Sequence, residues 1–227
     1  PALRCSFWEF ALLIPETVLH KFEPGEVKVM NLKCVISDIV ANLARWERTG
    51  LNEAQTRQVL VLRLFQALGY DIWNPFAVIA EQNSGGGAGS YIPDFTLRVA
   101  NKNVFIVEVK ALGKDFSNND RTQAVNYVNS MGLRWALLTN GKQWLLFDNK
   151  QEGVATDRLA LTIDLSTPYA ADHLEELLSP KVWESDHANQ EVWQAIQFLN
   201  LESKLRQIMQ KGFARDRDGL ELAMEVR

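Results

Sequence analysis

The chain has 227 residues, 47% of them hydrophobic and 23% charged, with a formal net charge of −4 and a pI near 5.5. That suits one domain, or one domain with an appendage, able to bury a sizeable core. It does not favour broad, non-specific DNA affinity, so any nucleic-acid site must be a local basic patch. No apolar run approaches the roughly 20 residues that span a bilayer, so no membrane partner is expected. Cys5 and Cys34 make no disulfide framework, and His20, His173 and His187 lie too far apart for a His-rich zinc site. A cytoplasmic protein with reduced thiols is the expectation.

Residues 1–29 are aromatic and irregular, with Pro15, Pro24 and Gly25, and lack a signal-peptide layout. They read as an N-terminal extension, with Met30 as the natural start. Leu32–Arg48 repeats Val35, Ile36, Ile39, Val40, Leu43 and Trp46 at helical spacing, and Gly50 stops it. Asn52 is an N-cap with Glu53 in the first turn, where a carboxylate favours the helix dipole. That helix runs to Leu68, with Val59, Leu60, Leu62, Leu64, Phe65 and Leu68 buried, and Gly69 ends it. Tyr70–Trp73 and Ala77–Glu81 read as short extended pieces. The glycine-rich Ser84–Ser90 stretch is a connector or a mobile loop. It lacks the Gly-Lys-Ser/Thr ending of a nucleotide-binding P-loop.

Tyr91–Lys110 reads as two strands joined by a polar turn. Residues i and i+2 of a strand share a face. Glu108 and Lys110 therefore project together, and Val107 and Val109 face the other way. If the strands pair antiparallel, Asp94 reaches the same end of the pair. Two carboxylates and an ammonium at one strand end suit a hard cation such as Mg²⁺, which takes one or two carboxylates and keeps several waters. An ordinary exposed strand end with a Glu–Lys pair has the same spacing.

Asn118–Met131 is a helix. It places Gln123 and Tyr127 on one face, with Arg121 in its first turn. Arg134–Thr139 and Lys142–Phe147 are strands around an Asn140-Gly141 turn, and Leu159–Leu165 is another strand. After Pro168, Tyr169–Leu178 and Trp183–Lys211 read as helices, and Arg215–Arg227 as a short charged, exposed one. The order implies an α/β architecture: a mixed central sheet flanked by helices. The boundaries are an extension over 1–29, a core domain over 30–167 and a C-terminal helical extension over 168–227. Trp183, Trp193, Ile196 and Leu199 form a stripe that either packs on the core or offers a partner or homodimer surface.

Five pieces in order resemble the PD-(D/E)XK nuclease superfamily, and more closely the N-terminal nuclease domain of the R subunit of type I restriction enzymes. They are Asn52-Glu53-Ala54-Gln55-Thr56-Arg57, Pro93-Asp94-Phe95, Val107-Glu108-Val109-Lys110, Gln123-Ala124-Val125-Asn126-Tyr127, and Leu138-Thr139-Asn140-Gly141-Lys142-Gln143-Trp144. The resemblance covers about residues 50–150 and implies a restriction-endonuclease-like sheet. By resemblance, Asp94 and Glu108 hold Mg²⁺, with Mn²⁺ as a substitute, and Lys110 positions or activates the attacking water. Glu53 sits above the site, and Gln123 and Tyr127 contact the substrate backbone or brace the site. Arg57 is a salt-bridge partner or a substrate contact, and Lys114 and Arg121 touch phosphates or face solvent.

The implied activity is Mg²⁺-dependent DNA endonuclease hydrolysis, in restriction-modification or defence, with DNA and other restriction-system subunits as partners. The R subunit continues into an ATP-driven translocase. These 227 residues hold no Walker A sequence, so the resemblance is to the nuclease module without motor domains. The alternative is a non-catalytic DNA- or protein-binding scaffold on a nuclease fold. A hydrolase of RNA or nucleotides is a third reading.

Overall fold

The structure is a computed structural model describing residues 31–81 and 92–225, with side chains through residue 209. The expectations for residues 1–29, Met30, the Ser84–Ser90 stretch and the side chains of the 215–227 tail lie outside the described residues.

Helix α1, Leu32–Thr49, starts where Asn31 Oδ1 accepts from the backbone N–H groups of Lys33 (2.9 Å) and Cys34 (3.4 Å). It stops at Gly50, whose φ of 75° is the left-handed cap expected from the sequence. Leu32, Val35, Ile36, Ile39 and Leu43 form its buried stripe. The second helical segment opens at Asn52. A reciprocal capping box links Asn52 and Gln55, each side chain bonded to the other's backbone N–H.

The segment was expected as one regular α-helix and is not. It comprises α2, Glu53–Thr56, a π-helical turn over Arg57–Val61, and α3, Leu62–Leu68. Such single-turn insertions recur at functional sites. The turn after the fourth strand packs hard against this one. A Cβ on Gly141 would overlap Leu60 Cδ1 and come within 3.1 Å of Thr56 Cγ2.

Six strands follow one another across a single sheet: β1 (Val78–Ala80), β2 (Phe95–Val99), β3 (Lys102–Val109), β4 (Trp135–Thr139), β5 (Gln143–Asp148) and β6 (Leu159–Asp164). All neighbours pair antiparallel except β3 and β4, which run parallel. Helix α4, Asn118–Met131, makes the crossover between them. The sheet is therefore mixed and covered by helices, as the element order implied.

Alternation along the strands sorts side chains onto two faces. Phe105, Val107 and Val109 of β3 join Trp135, Leu137, Trp144 and Leu146 in a core with α1 and α3. Ile106 of β3 joins Ala136, Leu138, Leu145 and Phe147 against Ala124, Val125, Tyr127 and Val128 of α4. Glu108 continues the α4-covered face one step beyond Ile106.

Tyr70–Trp73 is not extended. Residues 70–77 form turns, in which Asp71 Oδ1 accepts from Trp73 N and Asn74 Oδ1 from Phe76 N. Local bonds of this kind let Asp and Asn replace a ladder with a turn. The C-terminal part is also divided differently from the expectation. Helices α5 (Ala170–Leu178) and α6 (Pro180–Trp183) precede one long α7 (Ala188–Glu225), which absorbs the backbone of most of the expected separate tail helix.

Of the four stripe residues, Trp183, Ile196 and Leu199 are buried in the core shared with the sheet, with Trp183 and Phe105 ring centroids 4.7 Å apart. Only Trp193 remains well exposed, at 41%. The exposed apolar side of α7 is instead formed by Phe198, Leu201, Leu205, Ile208 and Met209. No helix among the described residues is long and apolar enough to cross a membrane.

Candidate active site

The candidate side chains meet where β2 begins and β3 ends. Antiparallel pairing of Phe95 with Val107 puts Asp94, just ahead of β2, beside the Glu108–Lys110 end of β3. Asp94 is clamped on both oxygens. Its Oδ2 accepts from Val109 N at 2.6 Å, and its Oδ1 from Arg57 Nη1 at 2.8 Å. Lys110 leaves the sheet as its N–H donates to Thr139 O (2.8 Å) on the parallel neighbour β4.

The Lys110 ammonium points back along the Glu108 face, as alternation predicts. It donates to Glu108 Oε1 at 2.6 Å and to Gln123 Oε1 at 3.2 Å. Both members of the ion pair are nearly closed to solvent, with side-chain exposures of 7% and 6%. The Gln123 amide nitrogen donates to Tyr127 Oη at 2.8 Å, and that hydroxyl donates to Ile92 O at 3.3 Å. The helical spacing of Gln123 and Tyr127 thus becomes a brace from β3 to the segment carrying Asp94.

Thr56 ties the helical lid to this floor. Its buried Oγ1 donates to Asn52 O (2.9 Å) and accepts from Leu112 N (3.0 Å), two residues past Lys110. The lid carries two charges to the site. Arg57 bridges Asp94 and, at 3.4 Å, Glu81 Oε1. The Glu53 side chain is exposed and makes no hydrogen bond or ion pair among the described residues, yet its charge acts on Asp94, Glu108 and Lys110.

Negative charge is in excess here, and the titration behaviour follows. Burial pushes Glu108 up to about 7, against the pull of the Lys110 hydrogen bond, and the Asp94 and Glu53 carboxylates add to it. Burial also raises Asp94, opposed by the Val109 N–H and by Arg57. Lys110 is raised although burial works against its charge, because Glu108, Glu53 and Asp120 surround it. Tyr127 is raised, chiefly by burial.

Two residues do more than their sequence spacing suggested. Arg57 occupies Asp94 directly. Asp120, which was not singled out, lies 3.7 Å from Lys110 Nζ and 3.4 Å from Lys114 Nζ through Oδ1. Burial would raise Asp120, but hydrogen bonds from Ser117 N (2.9 Å) and Ser117 Oγ (2.7 Å) outweigh it and hold the carboxyl below its ordinary value. The signal was present as Ser117-x-x-Asp120, a capping-box spacing that opens α4. Lys114 therefore pairs with Asp120, and no ion pair involves Arg121 among the described residues.

No group of three or more His, Cys, Asp and Glu side chains among the described residues is arranged to hold a metal. The donor set still fits a hard divalent cation. Asp94 and Glu108 are oxygen ligands, and two carboxylates leave the remaining positions to water and substrate, as Mg²⁺ prefers. Glu108 is displaced to about 7 chiefly because burial outweighs its Lys110 partner. A groove of about 840 Å³ lies elsewhere, between β6 and α7, lined by Leu161, Ile163, Tyr169 and Arg206 among others. It gathers none of these groups, so the β3 end is the candidate site despite that groove's size.

Residues 52–160, a little under half of the chain, match the family described as the type I restriction enzyme R protein N terminus. Over that stretch the chain resembles the N-terminal domain of the R subunit of type I restriction enzymes. A solved fragment assigned to the HsdR subunit of a type I restriction enzyme from Vibrio vulnificus YJ016 aligns at 18% identity with a TM-score of 0.38. The alignment takes in 65% of this chain and 33% of that one, so the chain spans about a third of that relative. No curated protein sequence matches the chain.

Proposed function

We propose that this chain is a Mg²⁺-dependent DNA endonuclease module of the type I R-subunit kind, of the PD-(D/E)XK class, hydrolysing phosphodiester bonds in restriction. The carrying observation is the meeting of Asp94, Glu108 and Lys110 at one strand end, with Gln123 hydrogen-bonded to Lys110. Asp94 and Glu108 would hold Mg²⁺, with Mn²⁺ as a substitute. When bound, such an ion stabilises charge developing on phosphate oxygens and lowers the pKa of a water.

The chain's own residues set the rest. Lys110 is a fixed ammonium, held by Glu108 and Gln123, that orients a water or faces the charge growing on the phosphate. Gln123 keeps that ammonium from swinging, and Tyr127 keeps Gln123 in place. Glu53 lies exposed at the rim, where a carboxylate accepts hydrogen bonds from ordered water. DNA and other restriction-system subunits are the partners under this reading. The exposed apolar side of α7 is the surface for a partner or a second copy, which sedimentation of the purified chain tests.

The test is cleavage of plasmid and single-stranded DNA with Mg²⁺ or Mn²⁺, comparing wild type with Asp94→Ala and Lys110→Ala, beside an RNA substrate. Metal-dependent DNA cutting lost in both folded variants is the expected result. A folded wild type that neither cuts nor binds metal by calorimetry would overturn the reading in favour of a scaffold.

A further inference from the structure

Both Asp94 oxygens already accept hydrogen bonds. Val109 N holds Oδ2 at 2.6 Å, and this bond is part of how the β3 end is built. The other oxygen, Oδ1, is taken by the Arg57 guanidinium at 2.8 Å. Any cation that binds Asp94 through Oδ1 meets the Arg57 guanidinium already there. Arg57 also has an alternative partner, since Glu81 Oε1 is 3.4 Å from the same nitrogen and its side chain is 69% exposed. Moreover, Arg57 opens the π-helical turn, whose closing bond runs from Leu62 N to Arg57 O. The register change of the lid helix begins at the residue whose side chain bridges lid and floor.

Resting on the metal-dependent reading above, we infer that Arg57 is the resting counter-cation of the site. It pairs with Asp94 until a divalent cation takes Oδ1, and it then turns to a phosphate of the nucleic acid. A guanidinium suits both partners, because its planar fork matches carboxylate and phosphate alike. The exchange keeps the part-buried carboxylate compensated at every stage. It also makes cation binding and phosphate binding favour each other, since the group that the cation releases is the group that the phosphate needs.

The test uses the full chain and Arg57→Gln. Mg²⁺ alone is titrated by calorimetry. A DNA oligonucleotide is then titrated by fluorescence anisotropy, with Ca²⁺ present to hold the site without turnover. Removing the competitor is expected to tighten Mg²⁺ binding about tenfold, within the usual range of coupling between sites, while DNA affinity in Ca²⁺ falls. A strut that merely aims Asp94 would give the opposite sign, weaker Mg²⁺ binding in the variant. That result, or unchanged Mg²⁺ affinity, overturns the inference and leaves the nuclease reading standing. Unchanged DNA affinity overturns the transfer to phosphate. Mg²⁺ binding by neither protein overturns the metal reading and this inference together. Should Arg57→Gln fail to fold, Arg57→Lys carries the same test, because a point charge on a shorter reach competes less well for Oδ1.

Discussion

Replacing Glu108 with glutamine is expected to stabilise the metal-free fold while abolishing cleavage. Glu108 is 4% exposed and titrates near 7 instead of its ordinary 4.5. At about 1.4 kcal/mol per pH unit, that displacement costs the fold about 3–4 kcal/mol at alkaline pH. The Lys110 attraction is already included in that displacement. The sign follows from proton binding. Between 4.5 and 7 the folded state holds a proton that the unfolded chain has released, so this group's contribution is fully present below 4.5 and is lost as pH rises to 7. A glutamine has no such loss. Chemical denaturation in a chelator, run from pH 4.5 to 8, should show the two proteins alike at the acid end and the variant about 3 kcal/mol more stable at the alkaline end. For a chain of this size that corresponds to roughly 5–10 °C in Tm. A variant no more stable at pH 8, or a difference that does not change with pH, would refute the reasoning.

Gly141→Ala is expected to destabilise the fold by about 2–4 kcal/mol, from a left-handed φ of 84° and the overlap with Leu60. Urea unfolding reads this as a lower midpoint at unchanged slope. Thr56→Val leaves the Leu112 N–H without its acceptor and should cost about 1–3 kcal/mol. Hydrogen exchange at Leu112 would rise beyond the global change. Asp120→Asn keeps a side chain able to cap α4 but removes the charge beside Lys110. It should lower kcat about ten- to a hundredfold with KM nearly unchanged, as for other residues that orient a catalytic group. An equal loss in Ser117→Ala, which weakens the cap and keeps the charge, would refute that role for Asp120.

The geometry of the candidate site that was legible in the sequence is the part governed by short-range rules. Glu108 and Lys110 share a face because strand side chains repeat every second residue, and Gln123 meets Tyr127 because helix positions four apart are neighbours. The Asn52 cap and the Gly50 and Gly69 stops follow from backbone groups that only such residues satisfy. The π-helical turn was not legible, since Arg57–Val61 carries an ordinary helical pattern and the distortion coincides with close packing by Gly141. The Tyr70–Trp73 misreading had a local cause: Asp71 and Asn74 bond their own backbone and outcompete the aromatic preference for strands.

By itself, then, the order of residues determined most of the elements, their caps, the faces of β3 and α4, and the convergence of Asp94, Glu108 and Lys110 once the strands pair. Tertiary structure alone decided which charges balance one another. Arg57 and Asp94 are 37 positions apart, and Lys110 and Asp120 are joined only by the crossover into α4. It also decided that Trp183, Ile196 and Leu199 are core, leaving Phe198, Leu201 and Leu205 outside. The physical reason is the same in each case. Periodicity and capping are properties of a few consecutive residues, whereas charge compensation and burial depend on which distant segments the fold brings within a few ångströms.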